Sequence, residues 1–482
     1  YRNLVIDEAH NLPSISSRNL GFDLSFPDIN SFLNLMYIRN KKFEGGMLTF
    51  LKSATVKSRI KKDEKKYLKQ NINEVIEILK DKKDSFADFF RKIGKLVREE
   101  GSYNKLRVKN NQDFDIISED LITILEVWDK LISRVSRISD QLHEINSNVF
   151  PDYDKHLDNI DGLLQRLEET KQKFLFLNSA NFERGAYWFS KFRSYDKDYP
   201  NGIFNFAPLD IDKLLNSSLY NKIDSLILTS ATLSIRGKFK YFFNRLGFNL
   251  VENKKVNTLI VPSPFDYKKQ TKVFISSFLP APRDKKFFPF QSSRIIADVI
   301  GRSKSGSMVL FTSYKDLNFV FDQINDDFYK NNIPVLAQGK GMSRTLLLKE
   351  FIEHGSAVLL GTNSFWEGVD IPGKPLSLLI LYKIPFLVPS EPIVEAYIEK
   401  LESEGKNSFI HYMLPNALLR YKQGFGRLIR NKQDRGVVLV LDNRIAKKRY
   451  GKYFMQILPR KSQVVSSEEE LLNEIENWFI KI

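Results

Sequence analysis

The stretch AVLLGTNSFWEG, residues 357–368, is a short apolar run that ends abruptly in glycine and polar residues. Other segments with this form are SLILTSATLS (225–234), MVLFTSY (308–314), LSLLILYKIPF (376–386) and GVVLVLDNR (436–444). Apolar strands without alternating polar residues are typical of a parallel sheet that helices cover on both faces. The sequence from about residue 223 onward therefore predicts an α/β fold. In such folds, ligands bind at the carboxyl ends of the strands, where the polar residues of these segments fall.

A different composition, rich in Lys, Asn and Phe, extends from roughly residue 20 to residue 200. Apolar residues recur there at intervals of three and four, as in Ile72, Val75, Ile76 and Leu79, which predicts long amphipathic helices. Residues 41–110 carry about +10 of the net charge of +16. This lysine density is consistent with a polyanion-binding surface and equally with an ordinary solvated helical face.

The bulk composition narrows the class of protein. A chain of 482 residues is long enough for more than one domain, and a pI near 9.4 makes a polyanion the leading class of partner, with simple solubility as the alternative. The absence of cysteine excludes disulfides and cysteine-ligated metal or iron–sulfur sites in these residues. The five histidines show no metal-ligand spacing, and we see no membrane-spanning run or signal segment. We expect a cytoplasmic protein whose natural N-terminus lies upstream of Tyr1.

Two adjacent carboxylates, Asp7 and Glu8, follow the apolar residues Leu4–Ile6 near the start of the chain. A carboxylate at the tip of a buried strand is well placed to hold Mg²⁺, and a second beside it can orient a water for attack on a γ-phosphate. Acid pairs at strand ends are also common surface caps, so this pair is weak evidence alone.

Polar loops follow two of the other strands. Ser230, Ala231 and Thr232 supply hydroxyls that could couple to His10 or to a neighbouring loop. The loop after residue 360 carries the candidate residues Gly361, Thr362, Glu367, Gly368 and Asp370. Its Phe365–Trp366 pair belongs either to the core, which is the commoner fate of aromatic residues, or to a surface on which bases stack.

The segment YKQGFGRLIRNKQDRG, residues 421–436, contains Gln423, Arg427 and Arg430 at intervals of four and three. On a helix these three residues share one face. Guanidinium groups are forked, permanently charged donors suited to phosphate oxygens, and Gly424 and Gly426 would permit close approach of a triphosphate. A surface salt-bridge stripe is the alternative.

Together and in this order, the motifs resemble those of superfamily 2 nucleic-acid helicases, and more narrowly the DinG branch, which is related to XPD. The resemblance rests on VIDEAHNLP (motif II), LTSATL (III), LFTSY (IV), GTNSFWEGVDIPG (V) and QGFGRLIRNKQDRGVVLVLDNR (VI). It covers roughly residues 1–13 and 205–460. It implies two RecA-like α/β lobes with a mostly helical arch inserted into the first, which is incomplete here. The implied domains are 1–20 (lobe 1), 21–204 (arch), 205–265 (rest of lobe 1) and 266–482 (lobe 2).

The resemblance also implies a role for each matching residue. Asp7 would bind Mg²⁺ with ATP, Glu8 would act on the attacking water, and Arg427 and Arg430 would be arginine fingers. His10 and Gln423 would link the two lobes. The residues implied in ATP binding or coupling are Ser230, Ala231, Thr232, Glu367, Gly368, Asp370 and Gly426. Those implied in nucleic-acid contact are Ser313, Tyr314, Gly361, Thr362, Asn363 and Trp366.

The implied reaction is ATP hydrolysis that drives movement along single-stranded DNA and unwinds forked or tailed duplexes, in DNA repair or replication. We expect the protein to act as a monomer. No G-x-x-x-x-G-K-[ST] phosphate loop occurs in the chain, and the nearest candidate, AQGKGMSR (337–344), lacks the spacing. In this family the loop lies upstream of motif II, so we expect the isolated chain to hydrolyse ATP weakly or not at all. The alternatives are a non-catalytic DNA-binding or assembly protein with a helicase-like fold and, more remotely, an RNA helicase. Polarity, pathway, an iron–sulfur cluster and an exonuclease domain are not readable here.

Overall fold

The computed structural model describes residues 2–40, 43–97, 104–179, 181–196, 198–251, 255–366, 371 and 375–480. Its strands are β1 (Asn3–Ile6), β2 (Phe22–Ser25), β3 (Ile38–Arg39), β4 (Glu44–Gly45), β5 (Lys105–Val108), β6 (Gly185–Lys191), β7 (Gly202–Pro208), β8 (Ser225–Leu228), β9 (Thr271–Ser276), β10 (Ser307–Leu310), β11 (Val335–Ala337), β12 (Val358–Gly361), β13 (Leu378–Leu381), β14 (Gly436–Val440) and β15 (Gln463–Val465).

The helices are α1 (Leu12–Asn19), α2 (Phe26–Met36), α3 (Met47–Lys57), α4 (Lys62–Leu96), α5 (Asn111–Glu144), α6 (Tyr153–Asn178), α7 (Ile211–Leu215), α8 (Lys240–Leu246), α9 (Tyr267–Gln270), α10 (Phe287–Ser303), α11 (Tyr314–Lys330), α12 (Arg344–His354), α13 (Asn363–Trp366), α14 (Pro392–Ser403), α15 (Leu414–Phe425), α16 (Arg444–Lys447), α17 (Gly451–Ile457) and α18 (Glu468–Ile480). Short 3₁₀ turns occur at Ala9–Asn11, Ser147–Val149 and Phe248–Leu250, and π turns at Asn216–Tyr220 and Phe409–Met413.

The chain divides into two compact units and passes between them four times. The sheet unit contains the residues up to Leu12, Asp212–Val388 and the residues from Leu401 onward, and the helical unit contains Pro13–Ile211 and Pro389–Lys400. The boundaries near residues 12 and 211 differ by several residues from the predicted ends of the inserted region at 21 and 204. The segment 389–400, which we expected within residues 266–482, groups instead with the helical unit. The interpretation of the units as lobes and arch stays a prediction.

A seven-stranded parallel sheet is the centre of the sheet unit, with the order β11-β12-β10-β13-β14-β9-β15. Four of the predicted apolar runs form β10, β12, β13 and β14, and every residue of these strands is buried. Alternate side chains enter separate hydrophobic clusters: Val309, Leu360 and Ile380 on one face, and their neighbours in sequence on the other. The predicted parallel α/β fold is confirmed, since helices cover both faces of these strands.

The fifth predicted run forms β8, which pairs in parallel with β1 in a separate two-stranded sheet. The register places Ile6 beside Leu228. Because both strands run in the same direction, the segments that follow them, beginning at Asp7 and Thr229, emerge side by side. This pairing brings together two motifs that lie more than 200 residues apart in the sequence.

Long helices dominate the helical unit, as the periodicity predicts. Ile72, Val75 and Ile76 on α4 are buried, and the indole N–H of Trp128 on α5 donates to the carbonyl of Leu167 on α6 at 2.7 Å. The sequence did not reveal the four-stranded antiparallel sheet of this unit, whose order is β2-β7-β6-β5. Among the described residues of the whole chain, no helix is both long and apolar enough to cross a membrane.

Candidate active site

The acid pair and the hydroxyl-bearing segment meet at the carboxyl ends of β1 and β8. The backbone N–H of Ala9 donates to the carbonyl of Thr229 at 2.9 Å, and the Thr229 hydroxyl donates to Oδ1 of Asp7 at 2.5 Å. The pairing register of the two strands therefore continues into the loops, and it holds the Asp7 carboxylate at the rim of the sheet.

Ser230 connects Glu8 to His10. Its Oγ lies 3.1 Å from Oε2 of Glu8 and 2.7 Å from Nδ1 of His10, and that same carboxylate oxygen lies 3.2 Å from Nδ1. The backbone of Glu8 is left-handed, with φ 48° and ψ 40°, a conformation that most L residues avoid. This turn changes the direction of the chain after β1. The Glu8 side chain is 63% exposed, whereas the His10 side chain is only 10% exposed.

The electrostatics of Asp7 suit a cation ligand. The hydrogen bond from Thr229, and after it that from the backbone N–H of Glu8, lowers the pKa of the Asp7 carboxyl below its ordinary value. An ionised, solvent-accessible carboxylate at a strand end is the type of ligand that Mg²⁺ takes together with waters and phosphate oxygens. Asp7 therefore fits the predicted metal contact. Among the described residues, no group of three or more His, Asp or Glu side chains could hold a metal ion by itself.

Helix α15 reaches the same loop from the other side through two adjacent residues. The buried Gln423 donates from Nε2 to Oγ1 of Thr232 at 3.3 Å, and Nζ of Lys422 donates to the carbonyl of Ala231 at 3.0 Å. Burial lowers the pKa of the Lys422 ammonium. We predicted Gln423 and missed Lys422; its place beside Gln423 in the same motif is the only signal the sequence offered.

The predicted shared helical face of Gln423, Arg427 and Arg430 is wrong. Helix α15 ends at Phe425, Arg427 lies in a turn whose N–H donates to the carbonyl of Gly424, and Arg430 lies beyond that turn. Gly424 does not face a ligand either. A Cβ at this position would lie 2.7 Å from Cζ3 of Trp366, so this glycine is required by close packing.

Arg430 is positioned through its backbone by a buried carboxylate. Oδ2 of Asp434 accepts from the N–H groups of Arg430 and Asn431 at 2.7 and 2.9 Å, and Oδ1 of Asn431 accepts from the N–H of Asp434 at 2.9 Å. Nε2 of the buried Gln270 closes this cage by donating to the carbonyls of Asn431 and Asp434, both at 2.9 Å. Sequence reasoning missed all three supporting residues, although the N-x-x-D spacing from 431 to 434 is typical of a side-chain-capped turn.

The loops at the carboxyl ends of β10 and β12 are also fixed by hydrogen bonds. Oε1 of Gln338 accepts from both the N–H and the hydroxyl of Thr362 at 2.9 Å, although Gln338 lies in a segment that we had considered only as a failed phosphate loop. The hydroxyl of Ser313 caps α11 and donates to Asp316, while the Tyr314 side chain is half exposed. The hydroxyl of Ser313 is thus committed to the helix cap, which leaves backbone groups for any phosphate contact.

Trp366 is not a stacking surface. Its side chain is fully buried, and its indole N–H donates to the carbonyl of Phe311 at 2.9 Å, so the core alternative is correct. Its carbonyl accepts from Nε of Arg427 at 3.1 Å, which ties the first arginine to this core.

The remaining predicted site residues fall into two groups. Gly361 ends β12, Asn363 begins α13 and Gly426 caps α15. Glu367, Gly368 and Asp370 lie outside the described residues.

Comparisons with known proteins identify relatives of this chain. Residues 296–461 match the family model described as helicase C-terminal domain. The chain is 34% identical over 63% of its length to the ATP-dependent DNA helicase YoaA of Haemophilus influenzae, covering 45% of that protein. It is 29% identical over 97% of its length to the 3'-5' exonuclease DinG of Bacillus subtilis, covering 50% of it. The chain thus spans about half the length of these curated relatives.

Solved structures show the same fold. An XPD helicase structure matches 96% of this chain and 68% of its own chain with a TM-score of 0.50 and 16% identity. An XPD apo structure matches with the same TM-score, 15% identity and 76% of its own chain.

The fold matches that of the XPD structures and contains a parallel sheet of seven strands. The predicted resemblance to the DinG-like, XPD-related helicases of superfamily 2 is confirmed by the DinG and YoaA relatives and by the matched helicase C-terminal domain.

Proposed function

We propose that this chain supplies the water-activating, arginine-finger and strand-engaging parts of an ATP-dependent DNA helicase. The observation that carries the proposal is a continuous path of polar contacts from the acid pair to helix α15. Oε2 of Glu8 lies 3.1 Å from the Ser230 hydroxyl, which lies 3.4 Å from that of Thr232, which accepts from Gln423 at 3.3 Å. We propose that a change at the acid pair is transmitted along this path to helix α15, which directly precedes the segment that bears Arg427 and Arg430.

The proposed division of labour follows from the chemistry of each group. Asp7 would hold Mg²⁺, which supplies charge compensation to the nucleotide phosphates when bound. Glu8, exposed and next to His10, accepts the proton of the attacking water or orients that water. Arg427 and Arg430 donate to phosphate oxygens as charge moves toward the leaving group. Ser230 and Thr232, which connect the two sides, couple hydrolysis to movement of the bound strand.

The proposed substrate is single-stranded DNA, with forked or tailed duplexes as the form that is unwound. The chain carries a net charge of +16, which suits a phosphodiester backbone. Loops at Tyr314, Thr362 and Asn363 are proposed contacts, through backbone groups where the side chains are already committed. We further propose that the protein acts as a monomer in the cytoplasm, in DNA repair or replication, with ATP and Mg²⁺ as cofactors.

A second candidate function is a DNA-binding or assembly component without motor activity. It is favoured by the Bacillus relative, which aligns with nearly the whole chain and is named an exonuclease rather than a helicase. In that case the basic surface of this chain would bind DNA, and a catalytic centre outside this chain would act on it. The exposed acid pair, with the pKa of Asp7 lowered, favours the motor.

The test is the Glu8→Gln variant in the full-length protein. Since the amide keeps the shape of the side chain but cannot accept a proton, we expect DNA-stimulated ATP hydrolysis to fall on the order of 10²-fold or more. Affinity for single-stranded DNA should stay within about 2-fold, because Glu8 does not contact the strand in this proposal. Glu469→Gln, an exposed glutamate on α18, is the matched control and should leave both quantities unchanged.

Two results would contradict the motor proposal. A Glu8→Gln variant that hydrolyses ATP at the wild-type rate would remove Glu8 from the chemistry. A wild-type protein that binds single-stranded DNA but shows no DNA-stimulated hydrolysis would favour the binding-protein alternative.

A further inference from the structure

Helix α14 carries an acidic stripe that the motor proposal does not use. Glu391, Glu395 and Glu399 recur every four residues, at the start of and along this helix. Four residues advance a helix by about 6 Å and return to nearly the same face. These glutamates belong to the segment Pro389–Lys400, which the chain contributes to the helical unit.

Strand β5 presents a basic row with a matching repeat. Lys105, Arg107 and Lys109 alternate along and just past the strand, so their side chains point to one face at intervals of about 6.6 Å. The strand lies at the edge of its four-stranded sheet. The glutamates on the helix recur about every 6 Å and the cations on the strand about every 6.6 Å. Because these spacings are similar, each of the three carboxylates can lie opposite a cation over this short distance.

The two rows are fully paired. Nζ of Lys105 lies 2.6 Å from Oε2 of Glu391, and Nη2 of Arg107 lies 2.6 Å from Oε2 of Glu399. Glu395 lies between Arg107 and Lys109. Its Oε2 is 3.3 Å from Nη1 of Arg107, and its Oε1 is 2.5 Å from Nζ of Lys109. The carboxylates thus occupy every cation of the row.

The apolar support beneath these ion pairs is small. Ala396 packs in a cluster with Ala186 and Leu209, flanked by partly buried side chains that include Trp188 and Tyr397. The glutamate side chains are 28 to 48% exposed and those of Lys105 and Lys109 are 36 and 46% exposed, so each lysine pair stabilises the contact by at most about 1 kcal/mol and weakens as salt is added. The Arg107 side chain is 10% exposed, so salt screens its pairs less. Helix α14 also has the buried Val394 and an ion pair between Lys400 and Asp210, whereas the ion pairs with β5 are contacts that a competing anion can replace.

We propose that Lys105, Arg107 and Lys109 form a masked binding site for a single-stranded nucleic-acid backbone, and that the three glutamates of α14 occupy it as an internal competitor. The proposal rests on the proposed function for the class of partner. Backbone phosphates accept hydrogen bonds from the same donors as the carboxylates, and a guanidinium holds either in the same forked manner. Displacement of α14 exposes three cations in a line, whereas the closed state is neutral. The site thus admits a strand only when the strand outcompetes the helix.

The first experiment removes the competitor without touching the site. The triple variant Glu391→Gln, Glu395→Gln, Glu399→Gln is compared with a control that neutralises three exposed glutamates elsewhere in the same unit, Glu119→Gln, Glu126→Gln, Glu168→Gln. Both variants gain the same net charge. Binding of a fluorescent oligothymidine to the full chain is measured by anisotropy at several salt concentrations.

We expect the α14 variant to bind about 10-fold more tightly than the control at low salt. The slope of log K against log salt should steepen by about 2, because three more phosphates are neutralised on a single strand. Equal affinities and slopes in the two variants would overturn the masked site. If neither the wild-type chain nor the control binds oligothymidine at all, the nucleic-acid partner of the proposed function is wrong, and the masked site is overturned with it.

The second experiment measures the docking of helix α14 directly, first with salt alone and then with oligothymidine. Amide hydrogen exchange of residues 392–403 should accelerate several-fold in the wild-type chain as salt rises, whereas buried β13 should not change, because salt screens the exposed pairs. Added oligothymidine at low salt should have the same effect. Protection of α14 that is insensitive to both salt and oligothymidine would show that the helix is permanently docked. A circular-dichroism melt of the α14 variant verifies that it remains folded.

Discussion

The two sides of the candidate site are built on strands of similar sequence but very different surroundings. The acid pair follows β1 and β8, whose residues are exposed or partly buried; Val5 and Ile227 are 64% and 55% exposed. The arginine segment precedes β14, which lies within the seven-stranded sheet and is buried throughout. Short apolar strands therefore carry the predicted site residues on both sides, but only the second side is embedded in a large core.

Because of this difference, we expect substitutions on the two sides to have different effects on catalysis and on the free energy of folding. On the acid side, the exposed Asp7 and Glu8 accept hydrogen bonds from Thr229 and Ser230 respectively, so we expect a substitution there to affect the proposed chemistry with little loss of folding free energy. On the arginine side, Asp434, Gln270 and buried aromatic residues position the backbone, so a substitution there affects the fold as well. The following changes test this contrast.

The largest expected effect is on catalysis from Arg430→Ala in the full-length protein. Loss of an arginine finger should lower DNA-stimulated ATP hydrolysis on the order of 10³-fold, since the charge of the transition state is no longer compensated. Single-strand affinity should remain within about 2-fold of wild type. The matched control is Arg435→Ala, an exposed arginine in the same segment, which should hydrolyse ATP normally. Near wild-type hydrolysis by Arg430→Ala would show that the finger assignment is wrong.

The next effect is on stability, from Asp434→Ala. It leaves the N–H groups of Arg430 and Asn431 without their buried acceptor, so we expect the free energy of unfolding to fall by about 3 kcal/mol. Asp224→Ala, on the acid side, removes only an exposed pair with Arg2 at 4.0 Å and should change it by less than about 0.5 kcal/mol. Urea unfolding of the two variants measures both values, and equal shifts would remove the proposed contrast between the two sides.

The smallest effect comes from a pair of glycine substitutions with opposite signs. Gly424→Ala places a Cβ 2.7 Å from the buried Trp366 ring and should destabilise the chain by about 1–3 kcal/mol. Gly162→Ala, within α6, meets nothing within 4 Å and should stabilise the chain by up to about 1 kcal/mol. Thermal unfolding distinguishes them, and a neutral Gly424→Ala would mean that Trp366 can move aside.

The sequence predicted strands best where both faces of the strand are buried. Each of the five apolar runs forms a strand, and four of them are buried on both faces, which requires continuous apolar residues; β8, with Ile227 exposed, is the exception. Sequence reasoning missed β9, which begins with the polar residues Thr271 and Lys272, the three-residue strands β11 and β15, and the antiparallel sheet of the helical unit. It also assigned one helical face to Gln423, Arg427 and Arg430, since periodicity does not reveal where a helix ends. The glycines that we interpreted as room for phosphate include Gly424, which makes room for an indole ring.

The sequence by itself determined the parallel α/β core, the order of the motifs and the residue types available for phosphate chemistry, because strand burial and motif chemistry are encoded in contiguous residues. Only the tertiary structure decided that Ser230 joins Glu8 to His10, that Asp434 and Gln270 hold the arginine segment, and that α14 covers the basic row on β5. These contacts join residues far apart in the chain. Strand pairing and the path of the chain between the two units determine which of these residues meet. No local sequence pattern encodes the strand pairing or the path of the chain.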